Sequence, residues 1–309
     1  MTMRSGTRTT KRALVGATAV SLTALLAACG GGDAAEPASG SETKATGSAD
    51  DKVASLVPQD VKKDGKLVVA MEAQYPPFEF YDTDNKTIVG ADAELAAAVA
   101  SAMGLDLQIE DTAFDSIIPS LASKRYELGM SGFTVTEERI KQVDFVTYYY
   151  EGDGALVKVG NPSKLAVDES LCGVKVAVLK GSTQDVRTVS ELNERCSAAG
   201  KPALAASVLP GSNDLALALQ SGRVDAVLTD GSNAAYTAKQ AEGKMELAEG
   251  EPYNPAPFGI ASQKDSGMAE AVQAAMEKLI ADGTYEQILT KWGMQAGVVE
   301  APKVNEAAG

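Results

Sequence analysis

The stretch from Glu127 to Phe145, ELGMSGFTVTEERIKQVDF, gathers groups suited to holding an anion. A short apolar run, Leu128 to Met130, turns at Ser131-Gly132 and leads into Thr134-Val135-Thr136-Glu137. That T-x-x-E spacing predicts a capping box, in which a hydroxyl and a carboxylate satisfy free N–H groups at a helix start. Arg139 then falls about a turn and a half into the helix. The first turns of a helix carry partial positive charge, so the helix itself disfavours a cation there. Free N–H groups, two hydroxyls and a guanidinium fork together suit a carboxylate. A surface ion pair of Arg139 with Glu137 or Asp144 accounts for the same cation with no ligand, and the local pattern leaves both readings open.

The surrounding chain must position these groups. Lys66 to Met71 reads as a buried strand, and a loop from Glu72 through Tyr75-Pro-Pro to Phe78 follows it. Ala91 to Met103 has helical periodicity and stops at Gly104; Leu105 to Glu110 is a second strand. Asp115 to Ser123 is a second helix and Tyr126 to Met130 a third strand. Strands alternating with helices imply an α/β sheet that is largely parallel. The pattern of residues 114–132 returns in residues 212–231 at an offset of 98: Leu121 falls on Leu219, Arg125 on Arg223, Glu127 on Asp225 and Gly132 on Asp230. Between the copies, Val174 to Leu179 is an apolar strand, and Lys180-Gly181-Ser182-Thr183 turns into a helix beginning near Gln184. Two α/β lobes on one plan would aim the loops 72–78, 131–136, 180–184 and 229–231 at one cleft, since ligands of open α/β sheets bind beyond the carboxyl ends of strands. A single long sheet fits the same pattern. Gly267 to Ala281 is amphipathic, and a last helix runs from Gly283 to near Trp292, where the indole serves packing.

The N-terminal segment has a different character. Residues 1–28 carry Arg4, Arg8, Lys11 and Arg12 and no acid, followed by an Ala/Leu/Val-rich run to Ala28, the pattern of an export signal. Leu26-Ala27-Ala28-Cys29 resembles a bacterial lipobox, in which Cys29 is lipidated, and a Gly/Ser/Ala/acid-rich tether follows; a cleaved signal with an incidental Cys29 is the alternative. Without the signal, 24 basic residues face 42 acidic ones, near −18, which argues against nucleic acid or anionic lipid as partners. The chain has no histidine, which excludes Ser-His-Asp and Cys-His chemistry and His-ligated metals. Cys172 and Cys196 remain; in an exported chain the pair most simply forms one disulfide, the alternative being two buried thiols.

The motifs YPPFEF (75–80), VGADAELAAAVA (89–100), FDSIIPSL (114–121), GFTVTEER (132–139), KGSTQD (180–185), GRVDAVLTD (222–230) and DGTYEQILTKWG (282–293) together resemble the solute-binding proteins of polar amino-acid ABC importers. The resemblance runs from about Leu67 to Gly293 and implies an α/β, two-lobed periplasmic-binding-protein type II fold with a two-crossing hinge near Tyr149–Gly154 and Pro252–Phe258. It implies a signal at 1–28, an anchor and linker at 29–59, a first lobe of 60–151 plus 257–295, a second lobe of 152–256 and a tail at 296–309. Carried over by position, Arg139 clamps a ligand α-carboxylate with backbone N–H groups at Thr134, Ser182 and Thr183. Asp230 takes the α-ammonium with the Thr134 hydroxyl and the Gly132 carbonyl. Tyr75 and Phe114 wall the aliphatic part, and Glu72 meets the side chain. Such a protein needs no cofactor or metal, is not an enzyme, works as a monomer and delivers a free amino acid to a permease and its ATPase. For each residue a plainer role exists: Asp230 as a helix cap, Phe114 as core, Tyr75 as loop packing, Glu72 as an exposed loop acid. Glu72 favours a cationic or amide ligand and Lys180 an acidic one. A few dehydratases share the fold, and a tethered sensor without transport is a further alternative.

Overall fold

The computed structural model describes residues 41–43 and 49–307; the signal-like segment and Cys29 lie outside them. Apolar runs become strands Lys66–Met71 (β1), Asp106–Asp111 (β2, with alternating burial), Leu128–Gly129 (β3) and Val143–Lys158 (β4). Helices Ala91–Met103 (α1), Phe114–Ala122 (α2) and Glu137–Ile140 (α3) alternate with them. The second half brings Lys175–Leu179 (β5), Val189–Ala198 (α4), Ala205–Leu209 (β6), Ser212–Gln220 (α5), Ala226–Asp230 (β7) and Gly231–Gln240 (α6). Tyr253–Gln263 (β8), Met268–Ala281 (α7) and Thr284–Trp292 (α8) complete it. The internal echo is realised in register: α2 and α5 are displaced by the same 98 residues at both ends, and β3 and β7 begin 98 apart.

In the first half β1 lies parallel to β2 and β3, and in the second β5 lies parallel to β6 and β7. The middle departs from the largely parallel expectation. β8 runs antiparallel to β3 and to residues 143–153 of β4, and the far part of β4, 153–157, pairs antiparallel with β7. One 16-residue strand thus carries the ladder from one half to the other, so the two lobes share a continuous hydrogen-bonded path. A strand that passes between lobes is not constrained to the parallel βαβ return, which explains the antiparallel centre. The register of β8 shifts between Tyr253 and Ala256 and again between Phe258 and Gly259.

Each half has its own apolar centre. Leu67, Val69, Leu95 and Val99 pack with Val272, Met276 and Leu279, so α7 returns to the first lobe. Val157, Val176, Val178, Leu192 and Leu228 form the centre of the second. A third cluster crosses between them, joining Phe114, Ile117, Leu121 and Phe133 to Leu156, Leu179, Leu215 and Leu219. Burying a side chain of this size is worth about 1.5–3 kcal/mol, so the crossing cluster favours closed lobes before any polar contact is counted. Cys172 and Cys196 are joined in a disulfide, with Cα atoms 5.5 Å apart, tying the approach to β5 onto α4. The C-terminal residues lie along β4, with the Thr147 N–H on the Lys303 carbonyl and the Asn305 N–H on the Phe145 carbonyl.

Two glycines let loops approach. A Cβ on Gly90 would fall 2.1 Å from the Phe78 carbonyl oxygen, so only glycine lets α1 start against that loop. Gly132 has φ +55, the left-handed region, and its Cα faces the Tyr75 ring.

Candidate functional site

The loop after β3 caps its helix two residues later than the T-x-x-E spacing predicts. Thr136, not Thr134, is the N-cap, its hydroxyl accepting from the Arg139 N–H at 3.3 Å. Thr134 stays extended and bridges to Phe258. Arg139 is therefore the third residue of a four-residue helix rather than a turn and a half inside a longer one. The extended segment wins because it gains sheet-like pairing with β8, including the Val135 N–H on the Pro257 carbonyl at 2.8 Å.

Arg139 is 9% exposed and makes no ion pair among the described residues. Asp144 instead takes Lys264 at 2.6 Å, so the surface-pair reading with that acid does not hold. The guanidinium donates to the Thr134 carbonyl at 2.8 Å and, across the lobes, to the Gly181 carbonyl at 3.0 Å. It lies 5.6 Å from the Phe114 ring centroid and 5.4 Å from that of Phe133, and the two rings stack at 4.8 Å. Burial lowers its pKa to about 10, opposed by the negative charge of Asp230, so it is a cation at neutral pH. Carbonyl dipoles solvate that cation without neutralising it, and a buried unneutralised charge is suited to an anion.

Asp230 provides the opposite charge. It stands at the N-cap position of α6, yet its side chain makes no cap bond. Its carboxylate accepts from the Tyr75 hydroxyl and from Gln184 Nε2 at 2.9 Å. Burial holds this carboxyl well above the usual range, and the nearby charges of Asp153 and Glu151 push the same way. The cap reading of Asp230 is thus replaced by a buried polar cluster. Its second acid is Asp153 on β4, which accepts from the same Gln184 amide at 2.7 Å and from the Thr188 hydroxyl. Burial raises Asp153 to about 6. Gln184–Thr188 is a π-helical turn ahead of α4, a wide turn that places both of its end residues on Asp153.

The remaining positions are drawn together from both lobes. Tyr75, stacked on Phe78 with centroids 5.6 Å apart, reaches Thr229 at 3.0 Å as well as Asp230. Thr134 and Thr183 hydroxyls meet at 3.3 Å. The Ser182 N–H is engaged by the Leu179 carbonyl at 3.1 Å, and its hydroxyl accepts from the Asp185 N–H. Lys180 pairs with Asp115 at 2.7 Å at the exposed rim, away from the buried charges. Glu72 is buried, not an exposed loop acid. It accepts from the N–H and hydroxyl of Ser212 at 2.9 and 2.8 Å, which caps α5 from the opposite lobe. Burial raises its pKa to about 7, the Ser212 bonds opposing. Among the described residues, Phe133, Asp153, Gln184 and Ser212 belong to this constellation without having been assigned a role from sequence. Gln184 and Phe133 sit inside motifs already singled out, Ser212 opens the repeat 212–231 and Asp153 lies in the expected crossing at Tyr149–Gly154.

The family model of bacterial extracellular solute-binding proteins, family 3, matches residues 67–295. The chain is 31% identical over 256 residues to the arginine-binding protein ArgT of Corynebacterium glutamicum, covering 82% of this chain and 83% of that one. It is 32% identical over 275 residues to the ABC transporter glutamine-binding protein GlnH of Bacillus subtilis, covering 87% and 92%. Among solved structures, an ancestral arginine-binding protein bound to arginine matches with TM-score 0.66 and 36% identity over 74% of this chain and 98% of that one. An ancestral amino acid-binding protein that is a precursor of cyclohexadienyl dehydratase matches with TM-score 0.65 and 32% identity over 77% and 99%. With the two lobes, the shared hinge strands and the match across most of its length, the chain belongs to the bacterial extracellular solute-binding proteins of family 3.

Proposed function

We propose that this protein captures a free cationic or polar amino acid between lobes 60–151 plus 257–295 and 152–256 and delivers it to a membrane ABC permease and ATPase. The observation that carries the reading is the pair of buried groups of opposite type, Arg139 and Asp230, close enough for the carboxylate to raise the arginine's pKa against the effect of burial. A zwitterion needs one fixed cation, one fixed anion and apolar walls. Arg139 and the N–H groups of Thr134 and Thr183 take the α-carboxylate, while the Ser182 hydroxyl orders the loop. Asp230 exchanges the Tyr75 hydroxyl for the α-ammonium, helped by the Thr134 hydroxyl and the Gly132 carbonyl. Tyr75 and Phe114 wall the stem of the ligand. Glu72, already beside the α5 N-terminus, meets a cationic or amide side chain. Relatives named for arginine and for glutamine support that class.

The protein performs no reaction on its ligand and acts as a monomer, held to the outer face of the membrane by lipid on Cys29. A thermal-shift screen of the proteinogenic amino acids and ornithine tests the capture reading, because a ligand of the folded state alone adds about 2.7 kcal/mol at a hundred times its Kd. If none raises the melting temperature, the reading fails. Mass spectrometry of the released ligand tests binding against catalysis: an altered ligand overturns the non-enzymatic part. Replacing Cys29 by Ala in cells should move the protein from the membrane fraction to the medium.

A further inference from the structure

Two acids are wholly buried on the Ser131–Gly132 turn, with no ion-pair partner among the described residues. Glu79, in the short strand Glu79–Tyr81, and Asp92, in the first turn of α1, are both 0% exposed. Each uses one carboxyl oxygen on the turn. Glu79 Oε1 accepts from the Ser131 hydroxyl at 2.6 Å, and Asp92 Oδ2 accepts from the Gly132 N–H at 3.2 Å and the Tyr148 hydroxyl at 2.9 Å. The other oxygens, Glu79 Oε2 and Asp92 Oδ1, are buried without an N–H or O–H donor, on two carboxyl groups anchored to successive residues of one turn. Two carboxylates cannot hydrogen-bond to each other; a carboxylic acid and a carboxylate can. We propose that Glu79 and Asp92 hold one proton between them at neutral pH, and that this shared proton positions the Ser131–Gly132 turn of the ligand cleft.

The surroundings fix where the proton sits. Asp92 receives two donors and is the better anion; Glu79 receives one and is the acid, its carboxyl held well above the usual range by burial and by the charge of Asp92. From the loop after β1, Glu72 adds a further negative influence on Glu79. From β4, Tyr148 donates to Asp92, and burial beside these acids keeps its phenol protonated. No ion pair reaches either acid among the described residues. Deprotonation would leave two adjacent buried carboxylates, a state the interior resists. The consequence extends to Glu72, whose N–H donates to the Ser131 hydroxyl at 3.2 Å: one proton sets both the turn and the neighbouring site loop. This rests on the reading of that turn as part of the ligand site, but its test needs no ligand.

Glu79→Gln keeps an acceptor for Ser131 and offers its amide N–H to Asp92 without a titrating proton. A folded acid whose pKa is raised takes up a proton on folding at pH values between its unfolded and its folded value. The folding constant of the wild type therefore falls by up to about tenfold per pH unit on this account as pH rises from near 5. The expected result is that Glu79→Gln lowers the pH slope of the unfolding constant by one proton between pH 5 and pH 8, with the melting temperature at pH 8 equal to or above wild type. Infrared difference spectra at pH 8 should show the loss of one protonated carboxyl band in Glu79→Gln. Asp92→Asn, whose amide can donate to Glu79, should lose the same band because Glu79 is then free to ionise. Glu79→Ala, which removes the donor, should be destabilised at every pH. An unchanged slope in Glu79→Gln, or a spectrum with no band lost in either conservative variant, overturns the shared proton whatever ligand the protein binds.

Discussion

The molecule buries two carboxylate pairs, and they are built differently. In the first lobe Glu79 and Asp92, anchored to one turn, each keep a buried oxygen without a donor. Between β4 and β7, Asp153 and Asp230 are bridged by one amide, Gln184 Nε2, at 2.7 and 2.9 Å. An amide supplies two N–H donors and no titrating proton, so the bridged pair can ionise when a cation arrives; the unbridged pair needs a proton and stays fixed. The first pair thus suits scaffold and the second suits recognition. The second also gives opposite signs for folding and binding. Burial raises Asp153 to about 6 and Asp230 well above its usual value, so these groups favour the ligand-free fold at low pH and cost stability as pH rises. Binding an ammonium needs them ionised, so affinity falls as pH drops.

The largest expected effect comes from removing the charge that the bridged pair presents. Asp230→Asn should weaken amino-acid binding by roughly 3–5 kcal/mol, since it leaves the ligand ammonium buried without its partner. Calorimetric affinity within tenfold of wild type would remove Asp230 from the site. Next is Arg139→Lys, which keeps the cation but loses the planar fork that lies against the stacked Phe114 and Phe133 rings; about 1.5–3 kcal/mol of affinity should go, or ten- to a hundredfold. Equal affinities would mean that the guanidinium serves only the Thr134 and Gly181 carbonyls. Gln184→Leu converts the bridged pair into the unbridged kind. Affinity at pH 7 should fall by about 1–3 kcal/mol and partly recover as pH is raised, because the pair now holds a proton that must leave. A pH profile parallel to wild type would show that the amide is not what separates the two pairs. Smallest is Glu72→Gln, expected to cost about 0.5–1.5 kcal/mol for a cationic ligand and nothing for a neutral one. With burial holding Glu72 at about 7, wild-type affinity for the cationic ligand should rise as pH passes through that value, and the variant should lack this step.

What the sequence by itself determined is local and periodic. The repeat at an offset of 98 located α2 and α5 and the starts of β3 and β7, because helix and strand patterns depend on neighbours a few residues away. The lone cysteine pair was legible for a similar reason, as counting and compartment alone restrict it. The motifs around Tyr75, Arg139, Thr183 and Asp230 named residues that the fold brings into contact across its two halves. Tertiary structure decided the rest. Thr136 caps α3 instead of Thr134 because the loop pairs with β8, more than a hundred residues on. Glu72 and Ser212, 140 positions apart, share two hydrogen bonds only because the lobes meet. Asp153 fell within the expected crossing at Tyr149–Gly154 without a role of its own, and its role depends on a π turn that brings Gln184 and Thr188 onto it. A carboxylate's partners and protonation follow from what surrounds it after the chain has closed, and desolvation, unlike periodicity, is a property of the whole fold.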